Sequence, residues 1–216
     1  MAAYVRRCAA YLVVALALAG CAGPGGMPPY LVMLTNNYPS ATDRCSGAAL
    51  DATRILTAAH CADLPRVVTQ LGQEAHVSVL RSWPDDDVAV LESDEPLYLS
   101  QFAQLARPAA GIAYVWAVCP YYFPQSVRFA FFFGPAVADL WDGATKVYDR
   151  WSTSPIMGDS QEICGGDSGG LVVQTDSVVG MITAVESPVP YLAIGRVFYT
   201  VSGARIAELM ADEHDP

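Results

Sequence analysis

The chain has 216 residues and is 53% hydrophobic, enough to bury a sizeable core in one large domain or two small ones. Its formal net charge is −10, and loss of a leader containing Arg6 and Arg7 takes it to −12. With no basic patch to neutralise phosphates, nucleic acid is excluded as an expected partner.

Arg6 and Arg7 form a basic n-region, and Ala9 to Ala19 is an apolar run of signal-peptide length, too short to span a bilayer as a helix. It ends in Leu18-Ala19-Gly20-Cys21, which resembles a bacterial lipobox. That resemblance implies cleavage before Cys21 and diacylation of its thiol. Two or three acyl chains then give a stable anchor, since each buried CH₂ contributes roughly 0.8 kcal/mol. Residues 1–20 are expected to be a lipoprotein signal peptide, and residues 21–28 a flexible tether rich in glycine and proline. The expected location is the bacterial cell envelope after export, at the outer membrane if the host has one.

From residue 29 onward, short β-type runs alternate with turn residues. The first six are expected at Tyr30–Leu34, Ala48–Asp51, Ile55–Ala58, Val67–Leu71, Ala75–Arg81 and Val88–Glu92. The second six are expected at Ala113–Cys119, Ser126–Phe133, Thr145–Trp151, Leu171–Thr175, Ser177–Val185 and Arg196–Val201. Regular spacing of this kind fits closed antiparallel barrels, which have no sheet edges. The junction is expected near Gln101–Ala110. The aromatic runs Tyr121-Tyr122-Phe123 and Phe129 to Phe133 read as strand core, with the excess over one buried face available to a lipid or a partner. Ser202 is a suitable N-cap for a helix over Ala204 to Ala211, with Ile206, Leu209 and Met210 on its apolar face. The acidic end, with His214, is expected to be solvated.

Three blocks carry chemistry. Ser168 lies in Cys164-Gly165-Gly166-Asp167-Ser168-Gly169-Gly170, where neighbours without bulk expose its hydroxyl and let backbone N–H groups face an oxyanion. His60, in Thr57-Ala58-Ala59-His60-Cys61, is a candidate general base. Asp87 heads the apolar run Val88-Ala89-Val90-Leu91, where a carboxylate can be buried and orient an imidazole, whereas Asp85 and Asp86 are expected to be solvated. Singly, each has an ordinary explanation as a packed histidine, a turn aspartate or a loop serine. In the order His, Asp, Ser they make an acyl-transfer triad. The G-x-S-x-G string also fits the nucleophile elbow of α/β-hydrolases. That fold requires a helix after the serine and a later histidine. Here a strand-like Leu171-Val172-Val173-Gln174 follows, and the later histidine is His214 in the tail.

These blocks, with Pro29 to Leu34 as a first strand, resemble the trypsin/chymotrypsin-like serine proteases over roughly residues 29 to 210. The resemblance implies an all-β fold of two six-stranded antiparallel barrels, about 29–105 and 106–201, and a short C-terminal helix over 203–211. It also implies catalytic His60, Asp87 and Ser168, with an oxyanion hole from the N–H groups of Gly166 and Ser168. Cys45 and Cys61 match the disulfide that staples the histidine loop in the family. Cys119 and Cys164 are left to each other. Neither a metal nor a cofactor is expected, and the chain is expected to be a monomer.

The chain departs from the family's pattern in three ways. It lacks the I-V-G-G activation motif, and a lipidated Cys21 has no free amine, so Asp167 needs another partner; Lys146, Arg128 and Arg150 are the candidates. The pocket is assigned to Glu162 at its floor, Thr183 and Val185 at its wall, and Arg196. Val185 narrows the entrance, and Arg196 can neutralise Glu162, so basic specificity does not follow. The interval between His60 and Asp87 is short, as in compact bacterial members. The expected function is a membrane-anchored serine endopeptidase acting on protein or peptide. The alternatives are a protease-fold binding or adaptor lipoprotein with little turnover, a latent enzyme switched on by a partner, and an esterase on the same barrels.

Overall fold

The computed structural model describes residues 27–36, 43–110, 112–118, 126–139, 145–153, 165–186 and 197–212. Within them, β1 (Leu31–Thr35), β2 (Arg44–Ala49), β3 (Arg54–Thr57), β4 (Arg66–Val68), β5 (Glu74–Trp83) and β6 (Val88–Ser93) precede β7 (Ile112–Ala117), β8 (Ser126–Asp139), β9 (Thr145–Thr153), β10 (Leu171–Gln174), β11 (Ser177–Glu186) and β12 (Val197–Ser202). The first six close a barrel in the order β1-β2-β3-β6-β5-β4, and the second six close another in the order β10-β11-β12-β9-β8-β7. The two-barrel, all-β expectation is borne out. A helix, α1 (Gly203–Ala211), follows β12.

Alternation sets the packing. On β7 and β10, Ala113, Val115 and Val172 join Val179 and Ile182 in a small cluster of the second barrel. Their neighbours Trp116, Leu171 and Val173 join the large cluster that runs through the first barrel and reaches Ile206 and Leu209 of α1. One strand face therefore fills its own barrel while the other packs across to the rest of the molecule. Every residue of β1 is buried, which explains its unbroken apolar run. Tyr30 adds a polar tie between the barrels by donating its hydroxyl to Asp176 O at 3.2 Å. Burial first, and Asp176 second, push that phenol up to about 12, so it remains a donor through the physiological range.

Strand ends differ from expectation where side chains compete for the backbone. The second strand starts earlier, at Arg44, and stops at Ala49. Asp51, expected inside it, builds a turn instead: its Oδ1 accepts the N–H groups of Thr53 (2.9 Å) and Arg54 (2.8 Å). The fourth strand ends at Val68 because Thr69 to Gln73 form a turn, with Gly72 at φ 78°. Thr175 and Asp176 both take positive φ (46° and 65°) in the two-residue hairpin turn between β10 and β11, the geometry that suits strand twist.

The helix forms as the sequence predicts. Ser202 Oγ accepts the Arg205 N–H at 3.1 Å. At Gly203 an added Cβ would lie 2.4 Å from Ala106 O and 2.5 Å from Val178 O, so only glycine lets the helix start this close to the inter-barrel segment and β11. Ser202→Ala removes the cap and is expected to lower stability by about 1 kcal/mol, read from urea denaturation.

Candidate active site

The imidazole and its carboxylate sit on two short 3-10 turns of the first barrel. His60 lies in Ala59–Cys61, between β3 and β4. Asp87 follows the turn Pro84–Asp86 and leads into β6. Its backbone is left-handed, φ 52° and ψ 44°. This conformation costs about 1–2 kcal/mol for most residues and less for aspartate. It persists because Asp87 N–H donates to Pro84 O (3.1 Å) and Asp87 O accepts the Ala59 N–H (3.1 Å), which ties the two turns together.

Across that tie the side chains meet. Both carboxylate oxygens of Asp87 lie 3.0 Å from His60 Nδ1, and Oδ1 also accepts the His60 backbone N–H at 3.1 Å. A carboxylate accepts only, so Nδ1 carries the proton in the neutral ring and Nε2 keeps its lone pair. The Asp87 hydrogen bond, working against partial burial and helped by the charges of Asp87 and Asp63, raises the His60 pKa above its ordinary 6.5.

Ser168 is half-buried, just after the 3-10 turn Gly165–Asp167 and before β10. Its loop is held at every step. Gly169 N–H donates to Ile182 O (2.8 Å), Gly170 N–H to Asp167 O (2.9 Å), and Ile182 N–H to Gly170 O (2.7 Å). Gly169 has φ 73°, and a Cβ there would lie 2.0 Å from Ser46 O, so both conformation and space require glycine.

Ser46 of β2, unmarked by any motif, links the two halves of the site. Its N–H donates to Ser168 O (2.7 Å) and its hydroxyl donates to Gly166 O (2.5 Å) while accepting the Val118 N–H (2.7 Å). Ser46 O accepts the Thr57 hydroxyl at 2.9 Å, three residues before His60. The residue beside it, Cys45, is disulfide-bonded to Cys61, the residue after His60, with Cα atoms 6.1 Å apart. One strand therefore touches both the serine loop and the segment that leads into the histidine turn. The expected Cys45–Cys61 bridge is present. Cys45 Sγ, Cys61 Sγ and a His60 ring nitrogen lie within 4.8 Å of one another, but the sulfurs are bonded to each other and offer no thiolate to a metal.

The remaining expected site residues divide by location. Gly166 is buried, and Asp167 is only 1% exposed. Thr183 is buried, at a register shift between β11 and β12 of the kind that re-aims side chains near sites. Val185 pairs with Phe198 in the same ladder. Arg128 falls on β8 and Lys146 and Arg150 on β9, known here by backbone register. Cys21, Cys119, Glu162, Cys164, Arg196 and His214 lie outside the described residues, as does the proposed Cys119–Cys164 pair. Asp85 is exposed as expected; Asp86 is not simply solvated, because both its oxygens accept from Arg205.

Residues 20–116 match the Trypsin family model, a span that includes His60 and Asp87 and stops short of Ser168. The fold is similar to that of the serine endoprotease from Yersinia pestis, with a TM-score of 0.59 and 22% identity over 86% of this chain and 62% of that one. The chain has the trypsin-like fold. This trypsin-like chain thus spans under two thirds of that endoprotease's length. No curated protein matches it.

Two predictions follow from the site's geometry. In Ser46→Ala, Gly166 O loses a donor and Val118 N–H an acceptor, both in a buried setting. Stability is expected to fall by about 2 kcal/mol, measured by urea denaturation. The ring of His60 is expected to titrate above 6.5 by NMR, and in Asp87→Asn to return toward or below that value. Because the folded pKa is raised, the His60–Asp87 contact contributes its full stabilisation below about 6.5 and loses it as pH rises through the folded value.

Proposed function

We propose that this protein is an exported serine endopeptidase, anchored through a lipidated Cys21, that cleaves peptide bonds with Ser168, His60 and Asp87. The observation that carries the reading is the contact of both Asp87 oxygens with His60 Nδ1 at 3.0 Å, on a turn that the Cys45–Cys61 bridge ties to β2, the strand that also bonds the Ser168 loop. The trypsin-like fold and its similarity to a serine endoprotease support a hydrolase of this class.

In this mechanism Ser168 Oγ attacks the scissile carbonyl and its proton passes to His60 Nε2. The tetrahedral oxyanion accepts hydrogen bonds from the N–H groups of Gly166 and Ser168, donors worth roughly 10²–10³ in kcat each. The imidazolium then protonates the leaving amine, the C–N bond breaks, and an acyl-enzyme remains on Ser168. Water attacks that ester, gives its proton to His60, and the carboxylic product leaves as Ser168 regains its proton. Asp87 stays ionised throughout and stabilises the imidazolium.

The enzyme is proposed to be constitutively active. The Ser168 loop takes its shape from internal bonds to Ser46 and Ile182, which supports a site that forms without an inserted N-terminal amine. The side-chain pocket is assigned to Glu162, Thr183, Val185 and Arg196. Among the described residues no helix is long and apolar enough to cross a membrane, and attachment is assigned to acyl chains on Cys21.

The test is hydrolysis of a peptide library by the purified full chain. Cleavage by the parent and none by Ser168→Ala is expected. The rate should climb with pH through a value above 6.5, because the base must be neutral and its pKa is raised. Equal cleavage by both proteins, or none by a folded parent, overturns the enzymatic reading. Partition of the parent into detergent and of Cys21→Ser into buffer is expected if the anchor is lipid, and identical partition overturns it.

A further inference from the structure

A helix N-terminus disfavours positive charge, yet the first turn of α1 carries Arg205 and no acidic residue. Its guanidinium reaches a carboxylate of the first barrel. Arg205 Nε donates to Asp86 Oδ1 at 3.2 Å and Nη2 donates to Asp86 Oδ2 at 3.0 Å, a bidentate fork. The remaining Nη1 lies 3.7 Å from Glu208 Oε2. The two ends of the fork belong to different halves of the molecule. Arg205 stands on the helix whose start is pressed against Ala106 and Val178, while Asp86 ends the 3-10 turn of the first barrel.

Asp86 is the residue before Asp87, and it precedes the left-handed backbone step that aims the Asp87 carboxylate at His60. A strained step persists only where its surroundings over-determine it. From inside the barrel it is held by Pro84 O and the Ala59 N–H. From outside, Arg205 contacts this turn through Asp86.

The geometry points to Arg205 as a positioning residue for the acyl-transfer site: through Asp86 it clamps the turn that sets Asp87, so the C-terminal helix of one barrel fixes the carboxylate of the other. This deepens the endopeptidase reading and rests on it. Arg205 acts through Asp86, the residue before Asp87, so its effect falls on the chemical step and not on binding. A purely stabilising role leaves that step unchanged in folded protein. For the helix itself, removal of the cation relieves an unfavourable dipole contact and gives up an exposed i,i+3 pair with Glu208, two small and opposed effects.

The experiment is saturable labelling of the full chain with a fluorophosphonate, comparing parent, Arg205→Ala, Asp86→Asn and the swap Asp86→Arg/Arg205→Asp. Arg54→Gln is the control, since it breaks another exposed Arg–Asp contact (2.6 Å, to Asp51) that does not involve the Pro84–Asp86 turn. The maximal labelling rate is expected to fall about three- to tenfold in each single variant with the half-saturating concentration unchanged. It should return to within about twofold in the swap, and Arg54→Gln should match the parent. An unchanged rate in Arg205→Ala, or a change confined to half-saturation, overturns the proposal. NMR of the proton on His60 Nδ1 separates it from the endopeptidase reading. That signal requires the Asp87 contact but not turnover. If the parent does not label, the enzymatic reading falls, while a proton signal sharp in the parent and broadened in Arg205→Ala still supports the clamp. An identical signal in both overturns it.

Discussion

The site depends on Ser46. Its N–H and hydroxyl hold two carbonyls of the serine loop, its hydroxyl takes a third partner from Val118 on the second barrel, and its carbonyl accepts from Thr57. The side chain is fully buried, so each of these groups has exchanged water for protein and none can be lost cheaply. A hydroxyl can donate once and accept from another group, and here it does both. The result is a short strand that holds the Ser168 loop, with the Cys45–Cys61 bridge one residue away tying the same strand to the histidine turn.

Around this strand, strain and space are used with purpose. Gly169 adopts positive φ where any side chain would strike Ser46 O, which brings the serine loop down onto β2. Asp87 adopts positive φ without being glycine, and its left-handed step directs the carboxylate back toward His60. Both outliers lie at the site, as expected when local strain is offset by a well-packed frame. The frame is the large apolar cluster that joins both barrels and the C-terminal helix.

Much of this was legible in the sequence. Turn residues and alternation placed all twelve strands, because each strand has one face that must be buried against a barrel. The pairing of His60 with Asp87 was legible from the small-residue neighbours of the one and the apolar run after the other. Strand ends were less so, since Asp51 and Thr69 turn the chain with side-chain hydrogen bonds that periodicity does not register. Ser46 was not legible at all. It lies in Arg44-Cys45-Ser46-Gly47, without an apolar pattern, and its partners are 72 and 120 residues away along the chain. Asp86 read as a solvated member of an acidic run because its partner is 119 residues distant. Contacts of that separation follow from barrel closure, which a local pattern does not encode.

The central claim is that β2 presents Ser168 to His60 in a working arrangement. The most direct measurement is a crystal structure of the full chain after reaction with a fluorophosphonate. The account predicts phosphorus bonded to Ser168 Oγ, its anionic oxygen on the N–H groups of Gly166 and Ser168, His60 Nε2 within hydrogen-bond reach of the adduct, and the Ser46 bonds to the loop intact. An adduct on another residue, or Ser168 modified with His60 turned away and the Ser46 contacts broken, would contradict it.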